Sequence, residues 1–374
     1  MSAGKSHLVL AGGLGAVAGM VVLGLVGLAR PVTPQTAVTF SDCDGAIEQL
    51  VIQYTAESGE ISGPIFAQFL PSLPSGATVY VVVPTAGDYR DLLARVGPVS
   101  CRIEPVETGH LMTTWSRDRW LAGLGPDGRV WLLSPRHEDR WEIWPARAGD
   151  ARIAGRIAQA VPAVAYRRSE LLFDGGDFVV AESKAFVAER VLIRNIQHTV
   201  ADRAELISRL SDQLGREVIV LDDAPDHHAG MYIMPAGDGR IFVADPAAGL
   251  GLYAEDPAAL EALLPAGADR SKKLQAGLDE IAARLTADGW DVLRMPILPG
   301  ADGRVWLTPL NAILDHRRGR RIVYMPTYAG AERLNETARE IWVRAGFAVR
   351  PIDCTSSYRH FGSLRCLVSV LRRG

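Results

Sequence analysis

The sequence predicts an α/β chain of about five similar units that close on themselves as a pseudo-symmetric propeller. Three observations lead there. From about residue 77 the order strand, amphipathic helix, glycine, strand recurs. Three helix-to-strand joints match in spacing and chemistry: Gly215-Arg-Glu-Val218 running to Asp222, Gly346-Phe-Ala-Val349 running to Asp353, and Gly289-Trp-Asp-Val292 running to Pro296. Each joint follows a segment (204–214, 331–345 and 274–285) whose apolar residues recur at three and four, as Leu274, Leu278, Ile281 and Leu285 do. The glycine suits a helix end, where a left-handed residue stops the helix. Five such units would bring loops from different repeats to one central axis, a natural place to assemble a site from scattered residues.

The N-terminus stands apart. Residues 8–29 form an uncharged apolar run of 22 residues, long enough to span a bilayer as a helix. Lys5 precedes the run, and Asp42, Asp44 and Glu48 follow it. That asymmetry favours an uncleaved single-pass anchor with the rest of the chain outside the cytoplasm. A cleaved signal peptide is the alternative, with a poor small-x-small site at Gly27-Leu28-Ala29. The expected organisation is thus residues 1–30 as anchor, 31–42 as an extended linker, and 43–374 as one folded domain. Four cysteines, Cys43, Cys101, Cys354 and Cys366, allow three full pairings. In an exported domain, Cys43–Cys101 and Cys354–Cys366 are candidate bridges.

Along the folded part, strands are expected over 79–83, 130–133, 178–181, 191–194, 218–221, 241–244 and 305–310, from alternating or continuous apolar runs. Residues 89–96 and 152–160 read as helices. The basic stretch Arg317-Arg318-Gly319-Arg320-Arg321 reads as a solvated hairpin turn. The C-terminal stretch reads as a strand over 347–352, a polar loop, a turn at Gly362-Ser363, and a last strand over 364–371 that carries Cys366.

Four stretches carry chemistry. Trp115-Ser-Arg117-Asp118 lies in a loop; alone, an Asp flanked by arginines is usually a surface ion pair. In Phe173-Asp174-Gly175-Gly176-Asp177, two glycines between carboxylates permit close backbone approach or positive φ. Asp226-His227-His228-Ala229-Gly230 leads into a strand, and adjacent histidines there would face opposite ways. Gly362-Ser-Leu-Arg-Cys366 places a thiol just after a turn, and the thiolate is the competent nucleophile.

In chain order these supply carboxylates, a histidine and a cysteine, and they resemble the motifs of the pentein, or guanidine-modifying enzyme, superfamily. Leu310-Asn311, 323–328 and 349–353 are also similar to that family's last repeat. The resemblance spans residues 77–374. It implies a cysteine-dependent hydrolase of a small-molecule or peptide guanidino group, with an amidinotransferase or a non-catalytic binder of the same fold as alternatives. It implies Cys366 as nucleophile, His228 as acid and base, and Asp177 or Asp174 orienting His228. Asp118, Asp174, Trp115 and Arg117 would then contact substrate. Paired carboxylates suit that task because they hold a planar guanidinium through charge-assisted hydrogen bonds. One departure is that Gly230 stands where many deiminases carry an acid, two residues after the histidine. His227 and His360 are spare candidates for the base.

The remaining composition narrows the class. A formal net charge of −3 with no long run of one sign offers no nucleic-acid footprint. Metal-ligand spacing, phosphate loops and nucleotide fingerprints are missing from the sequence, so neither metal nor cofactor is expected.

Overall fold

The computed structural model describes residues 37–138 and 142–374. Five of its sheets share one plan, in which a first strand runs antiparallel to a second. A helix then returns the chain as a third strand parallel to the second, the connection parallel strands require. Four copies are contiguous. They are Leu121–Leu124, Val130–Ser134 and Val164–Arg168; Phe178–Val180, Lys184–Ala188 and Glu217–Leu221; Ile233–Gly237, Arg240–Asp245 and Asp291–Pro296; and Ile313–Arg317, Arg320–Thr327 and Ala348–Asp353. The fifth takes its first strand from the C-terminus: Val368–Arg373 pairs antiparallel with Ile47–Gln53, which is parallel to Thr78–Val83. First strands of neighbouring sheets meet, Val368–Arg373 against Leu121–Leu124 and Phe178–Val180 against Ile233–Gly237. The five-unit ring read from the repeats is therefore present.

The three matched joints are the starts of three third strands. Gly215 ends the helix Arg203–Leu214 in the left-handed region at φ +62°, and Gly346 follows Glu332–Arg344 at φ +89°. A side chain there would be strained.

Several local expectations change. Residues 191–194 belong to a short helix, Arg190–Asn195, because a brief apolar run does not by itself separate helix from strand. Only Trp306–Leu307 of 305–310 is strand, paired with Leu298–Pro299. The stretch 364–371 divides into a one-turn helix, Leu364–Leu367, and the strand from Val368, so Cys366 sits on the turn of helix. The helix Gly59–Ser72 escaped the sequence reading because Gly63, Pro64 and Pro71 interrupt it; Ile65, Phe66, Phe69 and Leu70 nonetheless bury its apolar face.

The folded region begins inside the expected linker: Val38–Thr39 pairs with Leu121–Leu124, and the largely covered Asp42 carboxylate pairs with Arg365. The proposed anchor at 8–29 lies outside the described residues, and no helix among those described is long and apolar enough to cross a membrane. All four cysteines are free. Neither candidate bridge forms, since Cys43 and Cys366 pack in one apolar cluster and Cys101 and Cys354 in another.

The helix Glu332–Arg344 shows how steeply stability should depend on facing. Trp342 is fully buried, with its ring 4.3 Å from that of Phe242 and 5.0 Å from that of Phe347, whereas its neighbour Val343 is 49% exposed. Trp342→Ala should cost about 3–5 kcal/mol of unfolding free energy, and Val343→Ala about 0.5 kcal/mol or less. Chemical denaturation of the two variants checks this contrast.

Candidate active site

The loops that enter the five first strands each deliver a polar residue to one region. Asp118 precedes Leu121–Leu124, Asp174 and Asp177 precede Phe178–Val180, and His228 precedes Ile233–Gly237; Asn311 precedes Ile313–Arg317 and Cys366 precedes Val368–Arg373. A cavity of about 230 Å³ is lined by Trp115, Asp118, His228 and Cys366, and also by Arg147, Arg190, His227, His360 and Phe361. Cys366, His228 and Asp118 thus share one pocket. Phe361 at its rim has φ +69°, a strained value for an aromatic residue.

Cys366 is held by Asn311. The Asn311 Oδ1 accepts from the Cys366 amide at 3.3 Å and from its thiol at 3.5 Å, while Nδ2 donates to the Gly230 carbonyl at 3.2 Å. Asn311 therefore ties the cysteine loop to the histidine loop. Sequence reading placed it only within a similar repeat, because an asparagine before a strand has no distinctive spacing. Gly362 lets Trp115 close over this loop: a Cβ there would lie 2.3 Å from the indole.

The two histidines divide by hydrogen bonding rather than by strand alternation. His227 Nδ1 accepts from the His228 amide at 2.9 Å, leaving Nε2–H to donate to the Arg304 carbonyl at 3.2 Å. Burial, reinforced by the neighbouring His228 charge, lowers its pKa to about 3, so it is a neutral ring stacked edge-on against Trp306. His228 is the opposite case. Burial alone would lower its pKa, but Asp174, the Cys366 thiol, Asp118 and Asp177, in falling order, hold it well above the ordinary histidine value. An imidazolium in this position is a potential proton donor to a group in the cavity.

The two acids behind His228 come from one tight turn, in which Asp177 Oδ2 accepts from the Asp174 amide at 2.8 Å. Each carboxylate lies 3.9 Å from His228 Nε2. Gly176 permits this packing, since a Cβ would lie 2.5 Å from His228 Nδ1, and Gly175 is equally crowded by the Arg117 carbonyl at 2.2 Å. The glycines serve close approach; neither has positive φ. Burial raises the Asp177 pKa, whereas His228, Arg119 and Arg194 outweigh burial at Asp174 and keep it ionised. Asp174, Asp177 and His228 lie close enough together to hold a metal ion. Arg119, Arg190 and Arg194 already lie within 3.6 Å of the two acids, so the group is built as an ion-pair cluster around a charged ring.

Two expected substrate contacts are not on the cavity. Asp174 faces His228 and the arginines. Arg117 is buried beneath the pocket, with Nη2 3.4 Å from the Phe178 carbonyl and 3.7 Å from Asp42. Its pKa falls to about 10, because burial and then the nearby Arg365 charge oppose a second cation. Arg365 also explains the departure at Gly230: a Cβ on Gly230 would lie 2.5 Å from Arg365 Nη1. The space that an acidic side chain would enter is filled by a guanidinium paired with Asp42 at 2.7 Å. Asp118 is likewise engaged, with Arg147 Nη1 2.6 Å from its Oδ2. Nothing in the sequence signalled these roles: Arg147 and Asp42 reach the site from other parts of the chain, and Arg365, though next to Cys366, meets Asp42 and Gly230 only in the folded chain.

The raised His228 pKa gives a direct expectation. Its contribution to stability is fully present below the unfolded value of roughly 6.5 and is lost as pH rises through the folded value. In Asp174→Asn the ring should titrate nearer to that ordinary value than in the wild type. Carbon-13 NMR of labelled histidine, assigned with His228→Gln, would measure both titrations; an unchanged midpoint would show that Asp174 does not hold the charge.

No family sequence model and no curated protein sequence matches the chain. Solved structures do. An agmatine deiminase from C. jejuni superposes with a TM-score of 0.65 at 15% identity, covering 90% of this chain and 96% of its own. The agmatine deiminase of Enterococcus faecalis superposes with a TM-score of 0.65 at 12% identity, again covering 90% and 96%. Such identity carries fold rather than activity. These neighbours are pentein-superfamily proteins, and the chain has the pentein fold.

Proposed function

We propose that this chain is a cysteine-dependent hydrolase of a guanidino group. The observation that carries the proposal is the meeting of Cys366, a charged His228 and Asp118 around one cavity of about 230 Å³. The deiminase fold of its neighbours supports the same reading.

The chemistry follows from the residues. The Cys366 thiolate adds to the central carbon of the guanidinium, and His228 gives its proton to the departing nitrogen. Ammonia or an amine leaves, and an S-linked thiouronium remains on the enzyme. The now neutral His228 takes a proton from water as its oxygen adds to the same carbon. Collapse breaks the C–S bond and releases a ureido product and the thiolate. Asp174, with Asp177 behind it, fixes the ring and favours its charged state. Asp118 is the carboxylate within the cavity that can pair with the substrate N–H groups.

A binding protein of the same fold is the second reading, favoured by Gly230 and by the engagement of Asp118 with Arg147. Reactivity separates the two. A haloacetamidine, which mimics a guanidinium and carries a leaving group, should label Cys366 far faster than iodoacetamide does. The other three thiols, whose pKa values burial raises, should label slowly with both. Cys366→Ser should abolish ureido product, while Cys101→Ser should leave turnover intact. If the wild type turns over no guanidine and Cys366 labels no faster than Cys101, the binding reading replaces the hydrolase.

We also propose that residues 8–29 tether the domain to a membrane with the domain outside the cytoplasm, from the apolar run and the charges flanking it. The protein should sediment with membranes, and protease added to intact cells should digest the domain. Protection would reverse the orientation.

A further inference from the structure

The carboxylate that would receive a substrate guanidinium already holds one. Asp118 is 4% exposed at its side chain, and its Oδ2 accepts from Arg147 Nη1 at 2.6 Å. Arg147 also reaches Asp150, but only at 3.5 Å, and that carboxylate is otherwise satisfied by the Thr113 amide at 2.9 Å, the Thr113 hydroxyl at 2.7 Å and Gln53 at 3.1 Å. The short bond therefore belongs to Asp118. The Arg147 side chain is 29% exposed and lines the same cavity as Cys366 and His228. It reaches Asp118 from the helix Pro145–Asp150, beyond the first strand that follows Asp118. Arg190, 28% exposed, contributes a second guanidinium to the cavity wall.

A tethered group has a high effective concentration at its partner. Arg147 holds the Asp118 Oδ2, so a substrate guanidinium that pairs with both carboxylate oxygens must displace it, and the displaced cation then remains beside the bound ligand. What the rest of the ligand carries decides the cost. A guanidine ending in an ammonium sets a like charge against Arg147 and Arg190. A guanidine ending in a carboxylate offers Arg147 a bidentate partner in exchange for the one it gives up.

Resting on the guanidino-hydrolase reading, we propose that Arg147 is the specificity-determining residue of this pocket: it occupies Asp118 in the free protein and exchanges it for an acidic group of the substrate, so that the site selects guanidino acids over guanidino amines. Agmatine, a guanidino amine, would then be a poor ligand for this pocket.

Calorimetric titration of the full chain carrying Cys366→Ser, with two probes of similar length, tests it. The probes are 4-guanidinobutyrate, which ends in a carboxylate, and agmatine, which ends in an ammonium. The acid should bind at least about tenfold tighter, which corresponds to about 1.4 kcal/mol. Adding Arg147→Met should abolish or invert that ratio, raising affinity for agmatine about tenfold or more as Asp118 is vacated. Arg147→Lys, which keeps the charge, should retain a preference for the acid. Equal weakening of both probes by Arg147→Met, or an unchanged ratio, would overturn the proposal and leave the hydrolase reading standing. If neither probe binds any variant, and thermal unfolding shows all of them folded, the guanidine reading itself falls and the proposal with it.

Discussion

Everything at this site depends on the antiparallel pairing of Val368–Arg373 with Ile47–Gln53. Four units of the ring are complete within contiguous chain, but the fifth needs its first strand from the far end of the sequence. Cys366 lies two residues before that strand, so the thiol has a defined position only when the ring is closed. Several groups secure the closure. Arg373 donates to the carbonyls of Asp42, Gly45 and Leu314, Gly374 and Ala46 exchange amide-to-carbonyl bonds, and Asp315 accepts from the Ile47 amide at 2.8 Å. Closing so long a loop is entropically costly and is repaid only by contacts that form together.

The same closure gathers an unusual density of buried charge. Asp42, Asp118, Asp150, Asp174 and Asp177 each lie against at least one guanidinium. Desolvation cancels much of the attraction in such pairs, so their number is poor evidence of stability. Their value lies in geometry, because a buried charge that loses its partner is left uncompensated. Asp174 and His228 hold each other charged, and Arg119 and Arg194 help keep Asp174 ionised against its burial. Arg365 can fill the space above Gly230 only because Asp42 neutralises it. The residues nearest the chemistry are thus oriented by others that never face the cavity.

Particular residues show what local pattern leaves undecided. The strand assigned over 364–371 put Cys366 on a strand, whereas a single helical turn precedes Val368; so short a segment carries too few positions to show a period. The doublet His227-His228 could not be divided by alternation, because both rings reach the cavity and only their hydrogen bonds distinguish them. The linker assigned up to residue 42 hid Val38–Thr39 and Asp42, whose partners lie on Leu121–Leu124 and Arg365. Arg117, which the resemblance implied as a substrate contact, turns beneath the pocket toward Asp42.

Repeat order, glycine-terminated helices and the sequence of four chemical motifs are local properties, and the chain alone determined them: an α/β ring with Asp118, the Asp174–Asp177 turn, His228 and Cys366 on separate units. The resemblance to the guanidine-modifying enzymes also marked Gly230 as a departure. Whether those positions stand open was settled only by folding. Arg147 reaches Asp118 from 29 residues further along the chain, and Arg365 fills the space above Gly230 from the turn that carries the thiol. No local pattern encodes such meetings, because a long, flexible guanidinium takes its partner from whatever carboxylate the closed ring brings within reach.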